Sequence, residues 1–240
     1  MVIEGSTRYI MEIHGFNKTT LLDYPKHLAA TIFLGGCNFR CPFCHNSSLV
    51  LSADTQPSFT TSEILNTLKS RKNILEGVCI TGGEPTLSTD LPEFIQEIKN
   101  IGLKVKLDTN GSNPRMLEDL LSQQLLDYIA MDIKNSRDRY IETIGIPRFS
   151  LDTIDSSISI IQNSKIPYEF RTTVVREFHS SDTILSIGQW LEGSSQYYLQ
   201  LFLDSGDILS SGLSAPTKET MLEYQRLVQP YFKTVGIRGM

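Results

Sequence analysis

The 240-residue chain is short of basic charge, with 22 Lys and Arg against 27 Asp and Glu and a formal net charge of −5. A nucleic-acid interface needs Lys and Arg clustered on one face. No basic stripe with interleaved aromatics occurs, so no nucleic-acid partner is expected. Long hydrophobic runs are missing as well. None approaches the ~20 residues that span a bilayer, and the first residues lack the charged, apolar, small-residue succession of a signal peptide. No membrane partner is expected, and a cytoplasmic location is. Cysteine is scarce at four residues, which speaks against a disulfide-stapled scaffold. A chain of this length buries about 70% or more of its unfolded surface without one. Linkers, low-complexity tracts and short repeats do not occur, so a single domain over 1–240 is expected. There is no Ser-His-Asp arrangement and no GK[ST] phosphate loop. His14, His27 and His179 stand in uninformative contexts.

What the sequence does have is a cluster. Three of the four cysteines, Cys37, Cys41 and Cys44, fall within eight positions, after the apolar run Leu28 to Leu34 and the pair Gly35-Gly36. That pattern reads as a strand delivering a loop of soft ligands. Thiolates select zinc, copper(I) or iron–sulfur clusters, and three are one short of a closed zinc site or a fully ligated cluster. The plain alternative is a zinc site with His45 or Cys79 as the fourth ligand. Zinc sites usually present two ligand pairs, and no second pair exists. Cys79 lies in an apolar strand, where an inert buried cysteine is the default. His45 directly follows Cys44 and would need an awkward turn to reach the same metal. An iron–sulfur cluster with one open corner is the preferred reading.

The remainder alternates between two periodicities. Residues 1–27 form a lead-in, with a short strand over Tyr9–Phe16 and an extended piece Thr19–Pro25. A core of strands and helices occupies 28–203, and 204–240 adds a helix and a strand. Strands are expected at 28–34, 77–80, 103–109, 127–134, 168–175, 196–203 and 234–238. Residues 46–59 read as a polar connection. Thr60 and Glu63 form a capping box for a helix burying Ile64, Leu65 and Leu68. Asp90 reads as the cap of a helix whose Leu91, Phe94, Ile95, Ile98 and Ile101 share a face. Further helices are expected at 114–122, around Leu151 to Ile161, at 181–191, and around Met221 to Tyr231. Six strand–helix alternations argue for a parallel α/β sheet, either a curved partial barrel or a flat doubly wound sheet. In both, the glycine-rich and polar clusters at the carboxyl ends of strands mark the active edge.

Those clusters carry the remaining candidates. Gly82-Gly83-Glu84-Pro85 is either a plain turn or a place where backbone approaches a ligand closely, with Glu84 and the carbonyls accepting from an ammonium group. Strand alternation puts Asp132 and Lys134 on the face of Ala130, opposite Ile129, Met131 and Ile133. They are either a mutual salt bridge or contacts to a bound cofactor. Asp108, ending the neighbouring strand, adds a second acid, and two acids with one lysine point to a bound cation or polar ligand. Arg171 sits in an apolar strand and needs a carboxylate partner.

Cys37-x-x-x-Cys41-x-x-Cys44, with Phe43 before the last cysteine, resembles the signature of the radical S-adenosylmethionine enzymes. Cys44-His45-Asn46, Gly-Gly-Glu-Pro, Asp108-Thr109-Asn110-Gly111 and Asp132-Ile133-Lys134 are similar to the small activating enzymes that install a glycyl radical in a partner protein. The lead-in Gly15 to Pro25 most resembles the activating proteins of anaerobic ribonucleoside-triphosphate reductase. The resemblance implies a partial (β/α)6 barrel of the TIM type. It implies a [4Fe-4S] cluster on Cys37, Cys41 and Cys44, with S-adenosylmethionine chelating the fourth iron. Phe43 and His45 would lie beside the cofactor, and Gly82, Gly83 and Glu84 would receive its amine. Asp108, Asn110, Asp132, Ile133 and Lys134 would contact it, with Arg171 near the cofactor or the substrate glycine. Asp108, Thr109, the Ala130 carbonyl and Asp132 match a monovalent-cation site.

The implied chemistry needs no side chain as acid or base, and Arg171 is the one catalytic candidate. A flavodoxin- or ferredoxin-type donor would reduce the cluster. Cleavage of S-adenosylmethionine would yield a 5′-deoxyadenosyl radical, which takes hydrogen from a glycine of the partner. Asp23-Tyr24-Pro25-Lys26 stands where the pyruvate formate-lyase type carries Asp-Gly-Pro-Gly. Leu199-Gln200-Leu201-Phe202 stands where that type has a histidine. Both departures weigh against that partner. The alternatives are an activating enzyme of a pyruvate formate-lyase-like partner, a radical enzyme acting on a small molecule, and a non-enzymatic iron–sulfur or zinc sensing module.

Overall fold

The computed structural model describes residues 11–204 and 206–240. Eight strands form one sheet in chain order: β1 (Ile13–Thr20), β2 (Ala29–Leu34), β3 (Gly77–Gly82), β4 (Lys104–Thr109), β5 (Tyr128–Asp132), β6 (Tyr168–Val174), β7 (Gln196–Leu201) and β8 (Thr234–Arg238). β1 runs antiparallel to β2, and every later neighbour is parallel. β1 and β8 do not pair, so the sheet is curved but not closed. The expected strand over Tyr9–Phe16 falls partly outside the described residues. From Ile13 it is present and runs on to Thr20.

The sheet sorts its residues by parity. On β2 to β6 the outward side chains Ile32, Val78, Ile80, Val105, Leu107, Ile129, Met131 and Phe170 are fully buried. They pack under the helices α2 (Thr61–Arg71), α3 (Leu91–Ile101), α4 (Pro114–Ser122) and α6 (Asp152–Asn163) in one apolar core. Each large apolar side chain buried there stabilises by about 1.5–3 kcal/mol. The inward positions carry the polar and charged residues of these strands. Thr31, Cys79, Lys106, Asp108, Asp132, Glu169 and Arg171 face one another across the barrel interior through the contacts described below.

Several local expectations need correction. The stretch 46–59 is not merely a connection, since it contains a short helix, α1 (Ser47–Leu51), and a 3₁₀ turn at Ala53–Thr55. A helix α5 (Arg137–Ile144) follows β5 and was not expected. Its sequence is polar on most positions, which hides a face formed by Tyr140, Thr143 and Ile144. Asp90 precedes α3 but makes no side-chain cap, because its backbone (φ −96°, ψ 9°) is outside the extended region a cap requires. Its carboxylate instead accepts from the Met11 amide at 3.0 Å. The Thr60–Glu63 capping box on α2 is present with both of its hydrogen bonds. Helix α8 (Lys218–Val228) packs against β7 and β8, and α7 (Ser181–Trp190) packs against α8 and α5.

At the open side a buried acid is closed off from β8. Glu169 on β6 is fully buried, and Arg238 on β8 meets it bidentately at 2.7 and 2.8 Å. Tyr128 donates to the same carboxylate at 2.9 Å, and the Arg238 guanidinium lies 3.7 Å over the Tyr198 ring. Removing one partner leaves an uncompensated buried charge. Arg238→Ala is therefore expected to lower unfolding free energy by roughly 3 kcal/mol, the lower end for a buried pair because Arg238 keeps an edge in water. Glu169→Gln in the same background should recover part of it. Urea denaturation of the single and double variants checks both.

Candidate functional site

At the carboxyl edge of the strands lies a cavity of about 240 Å³. Cys37, Cys41 and Cys44 line it together with Gly82, Gly83, Asp108, Asn110, Asp132, Lys134 and Arg171. Residues spread over 135 positions of sequence are thus brought to one place by the parallel register of the sheet. All four cysteines are free thiols. Burial pushes the Cys37 thiol up to about 11 and the Cys41 thiol to about 12, so binding iron there means displacing their protons. Among the described residues no three His, Cys, Asp or Glu side chains gather around a single-ion site. Cys79 is fully buried in β3 and does not line the cavity.

The cysteine loop is held on three sides. Toward β3, the Glu84 amide donates to the Gly36 carbonyl at 2.8 Å and the Gly83 amide to the Leu34 carbonyl at 2.8 Å. Asn46 donates to the Gly82 carbonyl at 2.9 Å. A Cβ on Gly83 would stand 1.8 Å from the Gly36 carbonyl oxygen, and Gly82 has φ +117°. The two glycines therefore serve the close approach of two strand ends. Toward α5, the Arg40 amide donates to the Ile144 carbonyl, and the Arg40 guanidinium donates to the Cys37 and Phe39 carbonyls at 2.6 and 2.8 Å. Toward the segment after β7, Ser47 and Ser48 donate to Asp207 and the Ser210 amide donates to the Pro42 carbonyl at 2.9 Å. His45 stacks on Phe202 with centroids 5.4 Å apart, and Phe43 is buried with Val175 and Phe202.

Glu84 is not free to receive an ammonium group. It is almost fully buried, and its oxygens accept from the Thr86 amide and hydroxyl, from the Thr109 hydroxyl at 2.7 Å and from the Asn110 amide at 2.6 Å. Burial pushes its carboxyl up against these four donors. Its work is to brace the end of β4 against the end of β3. Asn110, freed to face the cavity, donates to the Cys37 sulfur at 3.7 Å and to Asn38 at 3.1 Å. Ile133 does not line the cavity either. Its side chain is in the apolar core, while its amide donates to the Arg171 carbonyl at 2.7 Å.

On the opposite wall five charged side chains alternate in sign. Lys106 donates to Asp108. Asp108 accepts from Arg171 at 3.2 Å, Arg171 donates to Asp132 at 2.8 Å, and Asp132 accepts from Lys134 at 3.1 Å. The mutual salt bridge of Asp132 and Lys134 is thus present, and Arg171 has found two carboxylates. Burial alone would raise the two acids. Arg171 outweighs it, with Lys106 at Asp108 and Lys134 at Asp132, and both carboxyls are held below the usual range. Thr109 gives its hydroxyl to Glu84, and Ala130 lies in register with Asp108 but does not line the cavity.

Two residues escaped the sequence reading. Lys106, in the strand where charged and apolar residues alternate, is 2% exposed. The signal was its parity with Asp108, which an inward Asp108 forces on it. His179, 4% exposed, accepts at Nδ1 from the Val175 amide (3.1 Å), and its Nε2 lies 3.1 Å from the Lys134 carbonyl. It thereby holds the backbone at the end of β5 as a neutral ring. Nothing local in its sequence announces this.

Residues 31–187 match the Radical SAM superfamily. A Methanocaldococcus jannaschii protein, named among the glycyl-radical enzyme activating enzymes, is 31% identical over 232 residues, covering 94% of this chain and 95% of its own length. The pyruvate formate-lyase-activating enzyme of Staphylococcus aureus (strain USA300) is 26% identical over 239 residues, covering 94% and 85%. Among solved structures, Streptococcus suis SuiB bound to S-adenosylmethionine shares the fold with a TM-score of 0.65 at 14% identity. That match covers 85% of this chain, which spans 48% of the SuiB chain. The chain belongs to the radical SAM superfamily and is a radical SAM enzyme. Its grouping is with the glycyl-radical enzyme activating enzymes. The superfamily implies a [4Fe-4S] cluster and S-adenosylmethionine. Three protonatable soft donors facing one cavity, free of disulfides, fit such a cluster.

Burial pulls the His179 ring down to about 4. A histidine whose folded value lies below its unfolded one stabilises the fold fully above about pH 6.5, and that contribution is lost as pH falls from there toward 4. The loss is expected to reach about 3 kcal/mol, read as a falling urea midpoint between pH 7 and 4.5 that flattens in His179→Gln. A second expectation concerns the glycine contact. Gly83→Ala should force the Cys37 loop off β3, costing roughly 2 kcal/mol or more. Three thiols should then react faster with a disulfide reagent while Cys79 stays protected.

Proposed function

We propose that the chain activates a glycyl radical enzyme, anaerobic ribonucleoside-triphosphate reductase, in the cytoplasm, with electrons from a flavodoxin- or ferredoxin-type donor. The observation that carries this reading is the meeting of Cys37, Cys41 and Cys44 with the Asp108–Arg171–Asp132–Lys134 chain around one cavity. When bound, the cluster and S-adenosylmethionine supply a reductively generated 5′-deoxyadenosyl radical, and that chemistry belongs to the cofactors.

The protein's own share is binding, orientation and tuning. Cys37, Cys41 and Cys44 would hold the cluster, and the cavity they line would take S-adenosylmethionine beside it. Two N–H groups aim at the Cys37 sulfur, from Phe39 at 3.4 Å and from Asn110 at 3.7 Å. Such donors favour the more negatively charged reduced state and raise the cluster potential. Backbone carbonyls at Gly82 and Gly83 would take the methionyl amine, with Glu84 positioning them. The charged wall carries three cations to two anions, which suits one further carboxylate. Phe43, buried with Val175 and Phe202, closes the cysteine side, and the exposed His45 stacks on Phe202.

Two partners fit relatives of this kind, the reductase and a pyruvate formate-lyase-like protein. Leu199 to Phe202, of which Gln200 lines the cavity, lack the histidine that the second type carries in this region, and that weighs against the second. Anaerobically reconstituted protein with dithionite and S-adenosylmethionine is expected to release 5′-deoxyadenosine. Cys37→Ala, Cys41→Ala and Cys44→Ala should each lose the cluster and that product, whereas Cys79→Ala should keep both. Co-incubation with each partner followed by electron paramagnetic resonance should give the glycyl doublet with the reductase. An intact cluster without 5′-deoxyadenosine would refute the enzymatic reading, and a doublet only with the lyase would refute the choice of partner.

A further inference from the structure

We propose that the ammonium group of Lys106 is the built-in counter-cation of the aspartate wall, so that the site works without an alkali-metal ion. Two carboxylates, Asp108 and Asp132, face each other across neighbouring strands, and Arg171 bridges them at 3.2 and 2.8 Å. Lys134 serves the outer oxygen of Asp132 at 3.1 Å. That leaves the other oxygen of Asp108, Oδ1, pointing down into the barrel, where an uncompensated buried lone pair is costly. Lys106 fills this place. Its Nζ donates to Asp108 Oδ1 and lies 3.6 Å from the Cys79 sulfur. The partly buried Asp23 accepts from the Thr31 hydroxyl, and no ion pair joins it to Lys106 among the described residues.

Lys106 itself does not line the cavity, while Asp108 does. It is therefore a positioning residue. It fixes the inner oxygen of Asp108, Asp108 fixes one arm of Arg171, and Arg171 orients Asp132. An ammonium group is close to a potassium ion in size and carries the same charge, so either can satisfy a carboxylate oxygen here. Tethering on β4 removes the need to capture the ion from solution. With Lys106 in place, an added metal ion would be a fourth cation beside two carboxylates, and like charges at this depth repel.

The inference concerns the same cavity as the proposed reaction but is tested without relying on it. Thermal midpoints of the cluster-free protein are compared in potassium, sodium and choline chloride at equal ionic strength. Wild type is expected to show one midpoint in all three. Lys106→Ala opens space beside Asp108, and its midpoint should rise by about 2–4 °C in potassium or sodium over choline. Lys106→Met, which fills the space without charge, should show no such rise. On the reconstituted protein, S-adenosylmethionine cleavage by wild type should be the same in all three salts. For Lys106→Ala it should fall roughly tenfold or more in choline and recover in potassium or sodium. A wild type that needs an alkali metal would overturn the proposal, and so would a folded Lys106→Ala insensitive to all of them. If Lys106→Ala does not fold, the wild-type comparison and Lys106→Met decide. Loss of 5′-deoxyadenosine in every salt, with the midpoint pattern as expected, would count against the proposed reaction alone.

Discussion

The structure depends on keeping full charges inside a barrel. Lys106, Asp108, Arg171, Asp132 and Lys134 all project from inward positions of β4 to β6 or the residue run just past β5. Each is tolerable there only because its neighbour has the opposite sign. The alternation is a consequence of the strand period. Residues two apart on β4 and β5 share a face, and parallel register sets Asp108 beside Ala130 and Asp132 beside Arg171. A one-residue slip of any of these strands would turn its charges into the apolar layer under the helices. The ion chain thus fixes register as much as it furnishes a site.

The second dependence is mechanical. A cysteine loop that must present three sulfurs to one cavity has few intrinsic means of holding its shape. It is pinned by backbone from the ends of β2 and β3, by the Arg40 guanidinium donating to the Cys37 and Phe39 carbonyls, and by Asp207 from beyond β7. Glu84 links that frame to the end of β4, where Asn110 then reaches the Cys37 sulfur. The braces come from segments far apart in sequence, so the loop acquires its geometry only when the barrel is assembled. Expected consequences of a change at Gly83 or Glu84 are therefore felt at the cysteines.

How much of this could be read beforehand follows from what sequence patterns encode. The strand at 29–34, the capping box at Thr60, the apolar face of α3 and the terminal strand at 234–238 were legible because each is set by a local period or a local hydrogen bond. The cysteine spacing and the strand-end clusters marked the site for the same reason. Asp90 was misread because a cap depends on backbone angles that the residue type does not dictate. Helix α5 was missed because its buried face holds only Tyr140, Thr143 and Ile144. For Glu84 the sequence leaves a turn residue and a ligand contact both open, because nothing local shows that Thr86, Thr109 and Asn110 claim its oxygens.

Lys106 shows where the boundary lies. The strand at 103–109 alternates apolar and charged residues, which in an antiparallel sheet with one wet face would mean a buried side and a solvent side. In a parallel barrel both faces are covered, so the same alternation puts the lysine inside. Reading Asp108 as inward already committed Lys106 to the interior, and the partner it needed was the acid two residues on. The lesson is specific to charged residues of like parity at a strand's carboxyl end. Assigning one of them to the site assigns the others, and the sum of their charges, rather than any one residue, then decides what the cavity can accept.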